Sequence, residues 1–294
     1  MKIYNKLSKI CKTEQNVNLK NLCSMHVGGI GKYICYPSTI KQVKKLIRYL
    51  TKHKIQHYII GNGTNIIFED SGYNGVLVSL KNLNEIKIKD NTLICLAGAN
   101  LFAVNIFCRK NNLSGLEWSY GIPASVGGAV YMNAGAYGSE MKDVIKYVWA
   151  LNKGKIVKYK LEQMNFSYRN SIFQQNSNII LKVEFLLNKD GSKNIEERQN
   201  NYFNQRKALQ PYGTYNCGSV FKKTVDGSAG KTIDKLGLKN VKIGQIQISQ
   251  KHANFFVNLG NGTSKDLRNL IDQTKQIVKD KTGLELEEEV IFVE

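Results

Sequence analysis

The chain has little proline, few arginines and no long apolar run. Its 294 residues include 3 prolines beside 25 glycines, which excludes a proline-rich linker or a collagen-like repeat. No apolar stretch approaches the roughly 20 residues that a bilayer-spanning helix needs. Charged residues interrupt the N-terminal segment where a signal peptide would carry an uninterrupted apolar region. We therefore expect a cytoplasmic protein without membrane insertion, long enough to form two or three lobes.

Arginine, histidine and paired cysteines are also scarce. The formal charge is +19, but only six of the 42 basic residues are arginine, and the lysines are scattered along the chain. This pattern favours solvated basic faces over a base-reading surface, so nucleic-acid binding is only the non-enzyme alternative. The four histidines and six cysteines show no zinc-ligand spacing. We expect reduced thiols, no metal site and an attraction for anionic substrates.

The hydrophobic pattern mixes helical and strand periods and predicts an α+β protein. A helix over 39–54, capped by Thr39, precedes a buried strand over 56–60. Further strands are predicted at 66–68, 75–80, 93–97, 179–187 and 290–293, a hairpin at 144–159, and helices at 101–111, 195–207 and 264–282, the last capped by Gly283. We place lobes at 1–85, 86–190 and 191–294.

A first glycine cluster runs from Gly61 through Asn62, Gly63 and Thr64 to Asn65. Two glycines permit positive φ, so successive amides can point into one concavity and bind a pyrophosphate. The alternative is an ordinary turn between strands. A Rossmann site is excluded, because the cluster is followed by a predicted strand and not by a helix.

A second glycine cluster spans 121–129 and continues through 133–138. Backbone this free of side chains lets a large planar ligand lie directly on the chain, with amides donating to it. Tight packing of protein segments against each other is the alternative. Because the whole stretch 114–138 carries little charge, we expect it to be buried.

Nine motifs in this order resemble the UDP-N-acetylenolpyruvoylglucosamine reductase family, in its shorter structural type. They cover nearly the whole chain: Met25-His26-Val27-Gly28-Gly29, Gly61 to Asn65, Gly121 to Gly128, Asn133 to Gly138, Ser167 to Ser171, Gln210-Pro211, Cys217 to Lys222, His252-Ala253-Asn254-Phe255 and Glu287 to Val290. This sequence departs from the family pattern at His26, Ala124, Lys223-Thr224 and Glu288.

The resemblance implies non-covalent FAD in a two-lobed unit of the vanillyl-alcohol-oxidase (PCMH) type, followed by a C-terminal α+β substrate domain. It also implies NADPH as reductant, and reduction of an enolpyruvyl ether to a lactyl ether in peptidoglycan precursor synthesis, with no obligate protein partner. The implied FAD contacts are Val27, Gly28, Gly29, Gly61, Asn62, Gly63, Thr64, Asn65, Ile66, Gly121, Ile122, Pro123, Ser125, Val126, Gly127 and Gly128. The implied substrate contacts are Tyr168, Arg206, Gln210, Lys222, His252 and Asn254.

Three residues are expected to carry the chemistry. Hydride addition to the enolpyruvyl group leaves an enolate, which a guanidinium at Arg169 can stabilise. By resemblance Ser219 donates the proton, with Cys217 as a competing donor on the same strand face, and Glu289 assists, with Glu287 as its fallback. A sugar or lactone oxidase of the same fold is the enzyme alternative, but such oxidases often attach flavin to a histidine, and 61–65 contains none.

Overall fold

A computed structural model describes residues 2–89 and 92–294, which form two compact units. The first unit contains the chain through Gln15 together with Tyr33–Asn62 and Gly75–Gln205. The second contains Asn16–Lys32, Gly63–Asn74 and Arg206–Glu294. The predicted lobe boundaries at 85 and 190 both fall within the first unit, and the three-lobe division stays a prediction.

The described residues contain both helices and runs of consecutive strands, which confirms the α+β prediction. The helices are α1 (Lys2–Ser8), α2 (Ile40–Lys52), α3 (Leu101–Lys110), α4 (Val126–Tyr131), α5 (Ile172–Asn176), α6 (Ser192–Leu209), α7 (Ala229–Lys235) and α8 (Ser264–Thr282). The strands are β1 (Lys12–Asn18), β2 (Ile30–Tyr36), β3 (His57–Ile60), β4 (Ile66–Phe68), β5 (Tyr73–Ser79), β6 (Ile86–Lys89), β7 (Thr92–Leu96), β8 (Leu113–Ser114), β9 (Gly135–Ala136), β10 (Ser139–Glu140), β11 (Ile145–Asn152), β12 (Lys155–Lys160), β13 (Ile179–Phe185), β14 (Asn188–Lys189), β15 (Tyr215–Ser219), β16 (Lys242–Ile243), β17 (Ile246–Ile248), β18 (Phe255–Asn258) and β19 (Ile291–Val293).

The main sheet of the first unit is antiparallel, in the order β12-β11-β13-β7-β6. Val148 and Val183 lie opposite each other on its buried face, and both belong to one continuous apolar core. A second sheet has the order β1-β2-β5-β3, in which β3 and β5 run parallel. The glycine-dense stretch 114–138 contributes Trp118 and Val126 to the core, but Pro123 and Gly138 are exposed, so its predicted burial is confirmed only in part.

Helix α2 shows why a helix and its cap could be predicted from the local sequence. Thr39 Oγ1 accepts the Gln42 N–H at 3.1 Å, which satisfies one of the unpaired donors of the first turn. Val43, Leu46 and Leu50 then recur at helical spacing and are fully buried. The predicted helix and its cap are confirmed.

The second unit is built on the sheet β15-β18-β17-β16 and on α8. Thr263 and Asp266 form a capping box at the start of α8, and Gly283 ends the helix at φ +72°. Strand β19 pairs in parallel with β4, with Ile291 opposite Ile66. The predicted helix, its glycine cap and the final strand are confirmed.

Among the described helices none is long and apolar enough to cross a membrane. The six cysteines are all buried free thiols. Within residues 2–89 and 92–294, no three residues of the types His, Cys, Asp and Glu are grouped so that they could hold a metal ion.

Candidate active site

Ser219 lies at the end of β15, where a β-bulge interrupts the pairing with β18. Between Asn216 and Ser219, two residues of β15 oppose one residue of β18. Gly218 adopts φ +77° there, and its N–H donates to Asn216 Oδ1 at 3.0 Å. Because one extra residue reverses the alternation of strand faces, Ser219 shares a face with Asn216 and not with Cys217.

The expectation that Cys217 shares a face with Ser219 is therefore wrong. Cys217 is 2% exposed, whereas Ser219 is half-buried. Burial, with smaller electrostatic effects of Cys23 and Glu289, raises the pKa of the Cys217 thiol to about 12. A thiol in this environment gives up its proton far less readily than an exposed cysteine.

Backbone pairing places Glu289 opposite Val220, the residue that follows Ser219. The chain around Glu288 lies antiparallel to the chain around Phe221, and the Glu289 N–H donates to Val220 O at 2.7 Å. Asn65 Nδ2 donates to Glu289 O at 2.9 Å, which fixes the carbonyl of the same residue. The Oε2 atom of Glu289 is buried.

Glu287, two residues earlier, occupies a different environment. Its side chain is 72% exposed and forms an ion pair with Lys222 Nζ. The Lys222 N–H also donates to Glu287 O at 2.8 Å. Of the two glutamates considered from the sequence, Glu289 is the one with a buried carboxylate oxygen, and Glu287 lies at the surface.

Asn254 and His252 lie on the opposite side of the same segment. Asn254 Oδ1 accepts the Phe221 N–H at 3.0 Å, and its Nδ2 donates to Phe221 O at 2.8 Å. The Asn254 N–H points to His252 Nδ1 at 3.2 Å. Burial of the imidazole, reinforced by Lys239, lowers the pKa of His252 and favours the neutral ring.

Arg206 and Gln210 belong to the second unit at the end of α6. Arg206 is 7% exposed, and its Nη1 donates to Gln210 Oε1 at 3.2 Å. A buried guanidinium fixed in this way could bind an anionic group that reached it. The part of both residues in substrate binding stays a prediction.

Arg169 lies in the first unit, on a tight turn. Ser167 and Asn170 form an isolated antiparallel bridge, which leaves Tyr168 and Arg169 at the two corner positions. Arg169 adopts φ +53°, a left-handed conformation that costs a non-glycine residue about 1–3 kcal/mol. Its Nη2 donates to Gly135 O at 3.3 Å. The turn thus presents an arginine and a 40% exposed tyrosine together.

This turn is held by an asparagine to which the sequence analysis gave no role of its own. Asn133 is fully buried, and its Nδ2 donates to Ser167 O at 3.0 Å and to Glu140 Oε2 at 2.6 Å. Gln174 Nε2 donates to Arg169 O at 3.0 Å from the other side. Asn133 is the first residue of the family motif 133–138, and that motif is the sequence signal by which its role could have been found. That motif supports the Arg169 turn.

The glycine segment 121–128 of the first unit has two kinds of position. The amides of Val126 and Gly127 donate to Ala99 O and Ala97 O at 2.8 and 2.7 Å, so these donors serve the protein fold. A Cβ on Gly127 would lie 2.9 Å from the Cβ of Ala97. A Cβ on Gly128 would meet only Ser125 Oγ, at 3.2 Å, within the protein. The open side of Gly128 fits close approach of a large ligand such as FAD.

The glycines at 61 and 63 are required by contacts within the protein. A Cβ on Gly61 would overlap Ser125 Oγ in the first unit, and one on Gly63 would overlap Leu22 O in the second. Gly63 also adopts φ +70°. The turn alternative weighed from the sequence therefore explains both glycines, and the predicted anion contacts of this loop stay a prediction.

Gly28 and Gly29, in the second unit, are likewise packed on protein. Gly29 donates its N–H to Glu69 O and accepts the Leu19 N–H, each at 2.9 Å. A Cβ on Gly28 would lie 2.7 Å from the Cβ of Phe68. These contacts place the segment after His26 firmly, and its part in FAD binding stays a prediction.

Comparisons with known proteins match both parts of the chain. Residues 31–160 match the family model of an FAD binding domain, and residues 210–293 match that of the UDP-N-acetylenolpyruvoylglucosamine reductase C-terminal domain. The reductase of that name from Petrotoga mobilis is 41% identical over 95% of this chain and 94% of its own, and that from Clostridium novyi 38% over 99% and 96%. The crystal structure of the Thermus caldophilus reductase superimposes with a TM-score of 0.83 at 30% identity, over 96% of this chain and 99% of that one.

The chain is thus an FAD-containing oxidoreductase, in which a flavin-binding part precedes a C-terminal α+β domain. The predicted FAD cofactor and fold class are confirmed. The chain belongs to the UDP-N-acetylenolpyruvoylglucosamine reductase family.

Proposed function

We propose that this enzyme reduces the enolpyruvyl ether of UDP-N-acetylenolpyruvoylglucosamine to the lactyl ether, with NADPH as the electron source. The observation that carries the proposal is the pairing of two segments of the chain, in which the Glu289 N–H donates to Val220 O at 2.7 Å. In a chain of this family, it brings the position that carries the carboxyl opposite the residue that follows the hydroxyl of Ser219. The cytoplasmic location expected from the sequence is part of the proposal.

When bound, FAD supplies the two-electron hydride chemistry that reduction of a carbon–carbon double bond requires. The open backbone at Gly128, with its neighbours in 121–128, would hold it. Without a histidine in 61–65 we propose non-covalent binding. The remaining chemistry, stabilising negative charge and delivering a proton to carbon, falls to side chains of this chain.

Arg169 would bind the carboxylate of the enolpyruvyl group. Its guanidinium can form two parallel hydrogen bonds to a carboxylate, and it stabilises the enolate more than the ground state because negative charge grows there. The strained turn and the Gly135 carbonyl hold the side chain in advance. Preorganisation of this kind avoids a reorganisation cost during the reaction.

Ser219 would donate its Oγ proton to the carbanion carbon. A hydroxyl is a weak acid, but a carbon-centred enolate is a strong base, so a well-placed neutral donor can serve. Glu289, whose Oε2 atom is buried, would assist by hydrogen-bonding the enol form. The 2% exposure of Cys217, and its place on the other face of the bulged strand, support Ser219 over that thiol.

Separate measurement of the two half-reactions tests this assignment. Ser219→Ala should leave reduction of the flavin by NADPH near normal, since no carbanion forms in that step. Reoxidation by the enolpyruvyl substrate should slow by the roughly 10²–10⁴-fold that general acid catalysis contributes. Ser219→Cys should recover part of the loss, because a thiol can also donate a proton. Cys217→Ala, which removes the competing donor, should retain both rates.

Stopped-flow absorbance of the flavin under anaerobic conditions gives both rates. Equal impairment of the two half-reactions in Ser219→Ala would assign the serine to site geometry. If Cys217→Ala abolishes substrate-driven reoxidation and Ser219→Ala leaves it normal, the proton donor is Cys217. Reduction of the flavin by a simple sugar, followed by rapid reoxidation once oxygen is admitted, with no response to the enolpyruvyl substrate, would favour the oxidase alternative.

A further inference from the structure

We infer that Asn254 is a positioning residue that holds Ser219 and Glu289 in register through the backbone of Phe221 and Val220. The inference rests on the proposed role of Ser219. It replaces the substrate contact expected for Asn254 from the sequence with an indirect role in catalysis.

The need for such a residue arises where the strand pairing ends. Ser219 is the last residue of β15 to pair with β18, across from Phe255. Beyond it, Val220 still donates its N–H to Asn254 O at 2.8 Å, but among the described residues no strand residue pairs with Phe221 on that side. The Asn254 amide supplies the missing partner, with one acceptor and one donor at 3.0 and 2.8 Å from the Phe221 backbone.

The other side of the same two residues faces the glutamate segment. Val220 O accepts the Glu289 N–H, and Phe221 forms a bridge with Glu288. Val220 is therefore bonded to the backbone of Asn254 on one side and to that of Glu289 on the other. A displacement of Asn254 would shift Val220, which follows Ser219 in the chain and accepts the hydrogen bond from Glu289.

The Asn254 side chain is poorly placed to bind a substrate directly. The residue is 6% exposed, and both polar atoms of its amide are directed at Phe221. Gly230 closes one further direction, since a Cβ there would lie 3.2 Å from the Asn254 Cβ. A buried amide that is bonded to backbone in this way acts on its neighbours' geometry.

Two variants and one control separate positioning from binding. Asn254→Ala removes both bonds to Phe221, whereas Asn254→Asp keeps the acceptor and places an oxygen against Phe221 O. Thr274→Val is the matched control, because Thr274 is also buried in the second unit and loses one hydrogen bond, from its Oγ1 to Leu270 O. Thr274 lies on α8 and has no part in the proposed chemistry.

Asn254→Ala should slow substrate-driven reoxidation of the flavin by about 10–100-fold, the usual effect of a misplacement near 1 Å. Reduction by NADPH, and the Kd of the UDP-sugar for the oxidised enzyme measured by calorimetry, should stay within about twofold. In a Ser219→Ala background the same substitution should cost less than in the parent, because the part of its effect that passes through the missing hydroxyl is lost. Asn254→Asp should be impaired as well, and Thr274→Val should react normally.

Amide hydrogen exchange gives a readout that does not depend on turnover. Exchange in the peptide covering 219–222 should quicken by about tenfold in Asn254→Ala, as expected for one lost hydrogen bond, and stay unchanged in Thr274→Val. A raised Kd with normal reoxidation at saturation, full additivity with Ser219→Ala, or unchanged exchange would each overturn the inference. If Ser219→Ala alone is silent, the proposed function fails, and the exchange measurement still decides whether Asn254 holds the segment.

Discussion

Adjacent glycines in α4 offer a test of where the cofactor lies, because the protein fills the space beside one and leaves it open beside the other. A Cβ on Gly127 would lie 2.9 Å from the Cβ of Ala97 and 3.1 Å from its carbonyl oxygen. A Cβ on Gly128 would meet only Ser125 Oγ at 3.2 Å. If FAD occupies the open side, substitution at Gly128 should affect the cofactor and substitution at Gly127 should affect the fold.

The magnitudes follow from these contacts. An alanine in a helix is favoured over glycine by about 0.5–1 kcal/mol, so Gly128→Ala should leave the cofactor-free protein as stable as the parent or slightly more so. Gly127→Ala gains the same term but overpacks Ala97, at a cost of about 1–3 kcal/mol, and should be net destabilising by up to about 2.5 kcal/mol. Gly128→Leu should fold and bind FAD at least about tenfold more weakly, since its side chain occupies the open side.

Two measurements read these effects separately. Urea unfolding of the cofactor-free protein gives stability, and the ratio of flavin to protein absorbance, followed by titration with FAD, gives occupancy and Kd. Denaturing the parent protein should release chemically intact FAD, as non-covalent binding requires. If Gly128→Leu keeps full occupancy and an unchanged Kd for FAD, the segment 121–128 does not line the cofactor, and the reasoning from its open side is refuted.

Three further outcomes follow from the second unit. Glu287→Gln should leave turnover unchanged, because its ion pair with Lys222 is at the surface. Glu289→Gln should lower the rate of substrate-driven reoxidation. If stopped-flow traces show slow reoxidation in Glu287→Gln and a normal rate in Glu289→Gln, the roles of the two glutamates are exchanged. The Cys217 thiol should resist iodoacetamide at pH 8 in the folded protein, as mass spectrometry of the native and unfolded chains can show. Because the pKa of His252 is lowered on folding, the unfolded chain binds more protons, so the free energy of unfolding should fall as pH drops below about 6.5. His252→Gln should reduce the difference in unfolding free energy between pH 8 and pH 5.5, measured by urea titration. An unchanged difference would contradict the lowered pKa of His252.

Elements with complete local signals could be predicted from the sequence. Thr39 and Gly283 mark helix ends by their own hydrogen bonding and backbone preference, and the apolar spacing between such caps is a local property. Strand β1, by contrast, reads KTEQNVN and carries little apolar alternation. It is a strand because β2 pairs with it, which the sequence pattern does not record.

The candidate site could be predicted as a set of residues but not as an arrangement. Ser219 and Cys217 are two apart, which places them on one face of any regular strand, and the bulge that separates them depends on pairing with β18. The glycines pose a related difficulty. A glycine records that a side chain does not fit, but Gly63 excludes one because of Leu22 O, whereas Gly128 leaves an open side. Sequence alone gives the same letter for both causes.

A common device fixes the irregular backbone at these positions. The side chains of Asn216, Asn133 and Asn254 hold, respectively, the Gly218 amide, the turn that carries Arg169, and both backbone groups of Phe221. An asparagine amide has the donor and acceptor of a peptide group, so it can replace a strand partner where regular pairing stops. Leaving such a buried backbone group unpaired would cost about 1–3 kcal/mol, which is enough to let the segment move. Asparagines within the motifs of this family therefore deserve to be tested as supports for the reacting side chains before they are assigned to the substrate.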